Sequence, residues 1–395
     1  MPHPHRHSIL SSLVLVLAAC SAEPGDARDG DAAAQPETPV LQKAAEAFAI
    51  EAHGSFDEPW AMAFVPGTRV LLITERPGTI AGIDTATGRR FAVTGAPKVD
   101  YGGQGGLGDI AFLPWDSAST LRPRTIYLSW AEAGQGDTRG AAVGQGKLVC
   151  TPGGDCAIEG LRVIWRQAPK VSGRGHYSHR LAFSPDGKYL FVASGERQKM
   201  APAQDLDNTL GKIVRLDLEG KPAPDNPFAG KAGARPEIWS YGHRNVLGLK
   251  FDAQGRLWDL EHGPAGGDEL NLVEPGQNYG WPVVSNGDHY NGTAIPRHAT
   301  RPEFTAPAIS WNPVVAPGDF LFSSSPLFPG WDGQAVIAGL KSEGLVRVRI
   351  DGTRAVELAR YDFGKRLRSV IQAPDGALWV IEDGKSGRLL RLTPR

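Results

Sequence analysis

One phrase recurs along the chain: a short run of small and apolar residues, a turn built from Pro, Asp and Gly, then a second apolar run closing on an acidic or polar residue. It is clearest at 61–67 followed by 70–75, at 181–187 followed by 189–193, at 249–255 followed by 257–261, and at 370–376 followed by 378–382. Degenerate copies at 110–114 with 126–128 and at 320–322 with 335–338 bring the number to six. A unit this short cannot bury its own apolar face and must stack on its neighbours. Runs at 212–216, 344–348 and 388–392 add a third strand to several copies. Helical periodicity is nearly absent, so the expectation is an all-β fold, a six-bladed β-propeller of four-stranded antiparallel blades. A two-sheet sandwich would explain the short strands but not the recurring phrase. The last copy ends after its third strand, whereas the alternating stretch Phe48-Ala49-Ile50-Glu51-Ala52 precedes the first copy. That N-terminal strand is expected to complete the last blade and close the ring, because an open edge would leave a row of unpaired backbone groups.

Composition agrees with a folded chain and narrows its partners. Hydrophobic residues make up 41% of the 395 residues against 22% charged, enough apolar surface for a sizeable core. The 42 Lys and Arg nearly balance 43 Asp and Glu, so no basic field exists for neutralising phosphates and nucleic acid is not an expected partner. The first twenty residues read as an export signal: His3, His5, Arg6 and His7, an apolar or small run over 9–19, then Cys20. The run is about half the roughly 20 residues that span a bilayer. Leu17-Ala18-Ala19-Cys20 resembles the lipobox of bacterial lipoproteins, which implies acylation of Cys20 and a place on the periplasmic side of a bacterial membrane, held by lipid alone. Residues 21–45, rich in Ala, Pro, Gly, Asp and Glu, are expected to be a flexible tether, with 46–395 the catalytic domain. Cys150 and Cys156 flank a turn-forming stretch and are expected to pair as a local disulfide in an oxidising compartment. No second Cys or His pair lies close enough for zinc.

Propellers carry ligands on loops at the channel mouth, so unusual loops are where function is sought. One loop, 173–180, holds two His and two Arg; another carries Gly-His-Arg-Asn at 242–245; a third runs Glu-His-Gly-Pro at 261–264 and Asp-Glu-Leu-Asn at 268–271, followed by Asn-Tyr-Gly-Trp-Pro at 278–282. Read singly, a histidine at a strand start is more often structural than a base, and Tyr-Gly-Trp-Pro is more often packing than recognition. Their order, with Gly-Gln-Gly-Gly-Leu-Gly at 103–108, Gly-Leu-Lys at 339–341 and Arg-Leu-Arg at 366–368, resembles the soluble quinoprotein sugar dehydrogenases that carry pyrroloquinoline quinone (PQQ) in a six-bladed propeller. The likeness runs from about residue 56 to 394 and is nearer the broad aldose branch than the glucose-specific one.

That resemblance implies PQQ- and Ca2+-dependent oxidation of an aldose at C1 to the lactone. It implies His176 as general base, Glu196 as its acidic partner where glucose-specific relatives carry Asp, and Gln104 and Trp311 beside the substrate. Arg244, Asn245, Lys341, Arg366 and Arg368 are implied PQQ ligands. The carbonyls of Gly263 and Pro264 are implied ligands of a Ca2+ that bridges to the quinone, and Glu269 and Tyr279 contributors to a second, structural Ca2+ site. The electron acceptor, a quinone or cytochrome, and the oligomeric state, monomer or homodimer, stay open.

The chemistry asks for these residue types in its own right. A tricarboxylate is held by fixed guanidinium and ammonium groups. A hard cation takes oxygen ligands and polarises a quinone carbonyl. A hydroxyl proton leaves to a base near neutrality, its charge held by a carboxylate. No Gly-x-Gly-x-x-Gly element opens a helix after a strand, so a nicotinamide or flavin nucleotide is not expected. A dehydrogenase for sorbosone or another sugar aldehyde, a cofactor-free binding propeller and a lactonase are the alternatives. The presence of Lys341, Arg366 and Arg368 disfavours the binding module, and the lack of carboxylate-rich ligation at the channel disfavours the lactonase.

Overall fold

The computed structural model describes residues 38–151 and 154–395. The expected signal segment with Cys20, and the expected tether up to residue 37, lie outside the described residues. From residue 40 onward the chain is β-structure almost throughout, with helix limited to α1 (Ala44–Ala47) and two single 3-10 turns. The first two strands are β1 (Val40–Lys43) and β2 (Phe48–Phe56). Then come β3 (Pro59–Phe64), β4 (Val70–Glu75), β5 (Thr79–Asp84) and β6 (Arg90–Thr94), followed by β7 (Leu107–Phe112), β8 (Arg124–Ala133), β9 (Arg139–Cys150) and β10 (Cys156–Arg166). The third group is β11 (Ser178–Phe183), β12 (Tyr189–Ser194), β13 (Lys212–Asp217) and β14 (Ile238–Tyr241), and the fourth β15 (Val246–Phe251), β16 (Leu257–Glu261), β17 (Asp268–Val273) and β18 (Ile309–Trp311). The fifth is β19 (Pro317–Phe322), β20 (Ala335–Gly339), β21 (Gly344–Asp351) and β22 (Arg354–Asp362), and the chain ends with β23 (Leu367–Gln372), β24 (Leu378–Glu382) and β25 (Gly387–Pro394).

Each group is an antiparallel meander, and the recurring phrase is its first hairpin. In Ser184-Pro185-Asp186-Gly187 the Gly187 N–H donates to the Ser184 carbonyl at 2.9 Å, and Gly187 sits at φ +74°, a conformation that glycine adopts without steric cost. The closing strand lies where the alternation placed it: β2 pairs antiparallel with β25, Phe48 opposite Pro394 and Ala52 opposite Leu390, giving the order β2-β25-β24-β23. Two features differ from six separate four-stranded sheets. The first two meanders share one eight-stranded sheet, because β6 and β10 pair in parallel through Cys156–Val93 and Ala157–Thr94. The fifth gains a fifth strand, since β1 pairs in parallel with β22. The expected tether over 21–45 therefore overran: Val40 to Lys43 is strand, and Ala44 is 2% exposed. Composition misled there, because a backbone ladder along β22 needs no aromatic or apolar side chains from the added strand. Cys150 and Cys156 form the expected disulfide.

Consecutive meanders bury one apolar layer each. Leu72 and Ile80 meet Leu107 and Trp130; Tyr127 and Val143 meet Leu181 and Val192; Phe191 and Ile213 meet Leu249 and Leu257. Trp258 and Leu270 meet Phe320 and Ile337; Leu321 and Val336 meet Val370 and Val380; Trp379 and Ile381 meet Met62 and Leu71, which returns the cycle to its start. On the axis, Arg180 is fully buried beneath the Trp60 ring, 3.9 Å from its centroid. Its Nε donates to the Leu247 carbonyl at 2.6 Å, Nη2 to the Gly318 carbonyl at 2.7 Å and Nη1 to Asp109 Oδ1 at 3.2 Å. Asp319, 3.5 Å away, accepts from Ser369 Oγ at 2.8 Å. No helix among the described residues is long and apolar enough to cross a membrane.

Candidate active site

The start of each first strand and the end of each second strand lie at the same end of their meander, and most of the candidate residues gather there. Gln104, Asn245, Arg366 and Arg368 line one cavity of about 190 Å³ together with Trp60, Arg76 and His262. Arg366 Nε donates to Asp383 Oδ2 at 2.8 Å, and Arg368 donates to Asp383 Oδ1 through Nε at 2.8 Å and Nη2 at 2.7 Å. One half-buried carboxylate thus fixes two guanidinium forks and neutralises one of them. Lys341 follows Leu340, which lines the cavity; its backbone N–H donates to the Val315 carbonyl at 3.0 Å, and its exposed ammonium has no partner among the described residues.

His176 sits beside this cavity in a left-handed conformation, φ +48°. Its backbone N–H donates to Gln104 Oε1 at 2.7 Å, and its Nδ1 is hydrogen-bonded to Glu196 Oε1. Burial pushes the imidazole below its ordinary 6.5, the Glu196 bond works the other way, and the Arg244 charge adds to the lowering. Burial alone would raise the Glu196 carboxyl, but the His176 bond and the Met200 N–H, which donates at 2.5 Å, take it below its ordinary value. Both directions favour a carboxylate beside a neutral imidazole, a pairing in which Nδ1–H donates to the carboxylate and Nε2 carries the lone pair. His179 is a different residue in kind: its Nδ1 lies 2.9 Å from Ser129 Oγ, its ring stacks on Trp60 at 4.9 Å, and burial drives its pKa to about 3.

A second cavity of about 10 Å³, room for one small ion or water, adjoins the first through the shared wall of His262. Arg244, Glu261, Gly263, Glu269 and Tyr279 line it. Arg244 lies 5.1 Å from the Trp281 ring, donates to the His262 carbonyl at 3.1 Å, and keeps a buried Nε without a partner. The carbonyls of Gly263 and Pro264 accept no hydrogen bond among the described residues. Burial, reinforced by Glu261 and Asp259, raises the Glu269 carboxyl well above its ordinary range. Next to it, His243 Nδ1 lies 3.1 Å from Asp259 Oδ2 and 3.3 Å from Glu261 Oε1; although burial opposes its charge, the two carboxylates lift its pKa to about 9.

Two expected residues have their side-chain polar groups engaged elsewhere. Trp311 lies on β18, in the apolar layer between the fourth and fifth meanders, and its Nε1 donates to Glu357 Oε2 at 2.7 Å. Its side chain lines neither cavity, although its carbonyl accepts the N–H of Gly267, which lines the second, at 2.9 Å. The Tyr279 hydroxyl is committed to backbone, donating to the Leu272 carbonyl at 2.5 Å and accepting the Glu274 N–H at 2.9 Å, so it offers no metal ligand. Sequence reasoning passed over Arg76 and Asp383 and gave His262, within Glu-His-Gly-Pro, no role. All three directly follow a second strand, as Leu340 and Gly195 do. Aligning the copies by strand end would have found them.

Comparison with known proteins places these features in company. The Glucose / Sorbosone dehydrogenase family profile matches residues 56–391. The aldose sugar dehydrogenase YliI of Escherichia coli K12 is 40% identical over 348 residues, covering 86% of this chain and 91% of its own. Among solved structures, the soluble aldose sugar dehydrogenase of Escherichia coli in its apo form superposes with a TM-score of 0.80 at 37% identity, over 88% of this chain and all of the other. The PQQ-bound form of the aldose sugar dehydrogenase of Streptomyces coelicolor gives 0.71 at 28% identity, over 88% and 98%.

Proposed function

The chain belongs to the glucose / sorbosone dehydrogenase family of oxidoreductases, and from that premise we propose that it is a six-bladed propeller that oxidises an aldose at C1 to the lactone, using PQQ and Ca2+. The observation that carries the reading is the convergence of Asn245, Arg366 and Arg368 on one cavity beside the His176–Glu196 pair.

The residues fit the cofactor. PQQ is a tricarboxylate, and the Lys341 ammonium and Arg244 Nε, which have no partner among the described residues, together with the outer N–H groups of the half-exposed Arg366, are cationic donors free to meet it. The free carbonyls of Gly263 and Pro264, with Glu269 on the small cavity, suit a hard cation. When bound, the quinone supplies a two-electron acceptor made more electrophilic by the metal. The chain's own residues do the rest. Gln104 Oε1 is engaged by the His176 N–H, so its amide NH2 is left to donate to a sugar hydroxyl. His176 takes the C1 hydroxyl proton on Nε2, and Glu196 holds the imidazolium that results.

Apoprotein prepared with chelator should be inactive with a dye acceptor, regain aldose oxidation with PQQ plus Ca2+, and remain inactive with NAD. Full activity without quinone ends the reading. We further propose export and a lipid anchor on Cys20, which rest on the sequence of residues 1–20; fatty-acid labelling that persists in Cys20→Ser would refute the anchor. Sugar preference is read from a panel of aldoses and sugar aldehydes, which also separates the sorbosone-type alternative.

A further inference from the structure

The segment Tyr101-Gly102-Gly103-Gln104-Gly105-Gly106 carries the amide that meets His176, yet four of its six residues are glycine. Glycine gives such a loop the most conformational freedom to lose, so something outside the loop must fix Gln104. Arg76 is that neighbour. Its Nη2 donates to the carbonyls of Gly103 and Gly105, the latter at 3.2 Å, and these residues flank Gln104 on both sides. Its own carbonyl accepts the Leu107 N–H at 3.0 Å, where the loop re-enters β7. The approach is close enough that a Cβ on Gly106 would lie 2.2 Å from the Arg76 oxygen.

Arg76 is itself held. Nη1 donates to Glu58 Oε2 at 3.0 Å, and the Arg76 N–H donates to the Glu58 carbonyl at 3.0 Å. The other oxygen of Glu58 accepts from Tyr101 Oη at 2.9 Å, and the Tyr101 ring lies 5.6 Å from the Arg76 guanidinium. On the far side Gln104 N–H donates to the Arg174 carbonyl at 2.7 Å. A planar fork reaches two carbonyls and a carboxylate at once, which the ammonium of a lysine cannot do in that geometry.

We propose that Arg76 is a positioning residue for substrate: it clamps the glycine-rich loop so that the Gln104 amide stands fixed between His176 and the sugar. The proposal rests on the dehydrogenase reading for its substrate, but the clamp itself concerns this chain alone.

The test is a double-mutant cycle on PQQ- and Ca2+-loaded protein, with Arg76→Lys, Gln104→Ala and the pair together, D-glucose as probe. Arg76→Lys should raise KM on the order of 10-fold, the loss of one charge-assisted contact, with kcat nearly unchanged and PQQ binding intact. Since Arg76 acts through Gln104, the double variant should be no worse than Gln104→Ala alone. Additive losses would overturn the proposal and give Arg76 a direct contact with ligand, as its place on the cavity wall allows. In a second measurement on the same proteins, amide hydrogen exchange at Gly105 and Leu107 should accelerate in Arg76→Lys and Arg76→Gln but not in Gln104→Ala. Unchanged exchange would refute the clamp even if wild-type protein failed to oxidise glucose, whereas that failure with accelerated exchange would count against the dehydrogenase reading alone.

Discussion

Nδ1 of His176 meets Oε1 of Glu196 where solvent scarcely reaches, the imidazole 9% exposed and the carboxylate 1%. A base works in its neutral form, so activity is full above the folded-state pKa and falls as pH drops through it. Burial holds that pKa below 6.5, and the acid limb of kcat/KM is expected below that value. Glu196→Gln removes the group that raises the imidazole, so the limb should move to lower pH and the plateau should fall. A limb that moves up would show that Glu196 is not the partner.

His176→Asn should retain PQQ and Ca2+, since other residues are proposed to hold them, while kcat falls by roughly 10² to 10⁴ if it is the base. His179→Asn should instead lower the melting temperature, because it breaks the Ser129 contact and the stack on Trp60. Titration of bound quinone together with single-turnover rates separates the two; reversed outcomes would exchange their roles.

Arg368→Ala leaves Asp383 with Arg366 as its one remaining partner and removes a donor from the cavity wall. PQQ affinity should drop by about 10- to 100-fold, the equivalent of 1 to 3 kcal/mol for a buried charged contact. Absorbance titration of the apoprotein measures it, and wild-type affinity would remove Arg368 from the ligand set.

Glu269→Gln keeps shape and burial but removes the carboxyl that would ionise to hold a cation at the small cavity. Ca2+ should raise the melting temperature of wild-type apoprotein in proportion to ligand linkage and leave that of the variant unchanged. An equal rise in both would assign the ion to another site.

Phe48 is 1% exposed among Tyr361, Phe328 and Trp331, with ring centroids 5.0, 6.1 and 6.2 Å away. Phe48→Ala should cost about 3 to 5 kcal/mol. Leu41→Ala on the neighbouring β1, where Leu41 is 76% exposed, should stay within about 0.5 kcal/mol. Denaturant unfolding compares them, and equal costs would deny β2 its closing role.

The features legible in the sequence were those that depend on neighbours in the chain. The turn at Ser184 to Gly187 is local, so its copies announced the strands, and the alternation of Phe48 to Ala52 announced the partner of β25. The His176–Glu196 pair was legible only through the family resemblance; His176 lies two residues before β11 and Glu196 two residues after β12, the two strands of one hairpin. Asp383 was not, since it reads as an ordinary turn residue until Arg366 and Arg368 fold against it. The place of Trp311 beside the substrate was implied by the resemblance alone; in the structure its indole N–H donates to Glu357 across the fourth interface, a partner distant in sequence. β1 carries no apolar pattern, and only its ladder with β22 makes it a strand.

The third residue of each first strand is Ala61, Asp109, Arg180, Gly248, Asp319 or Ser369, in chain order. Six copies alike in backbone are therefore unlike at the axis, where one large cation is flanked by two acids and admits only small residues elsewhere. The copies are not interchangeable. Moving the third copy to another place in the order would set Asp109 and Asp319 around the wrong gap and direct the guanidinium away from the Leu247 and Gly318 carbonyls that it now fills. The order of the repeats is written at the centre of the ring, in a layer that only one sequence of copies can complete.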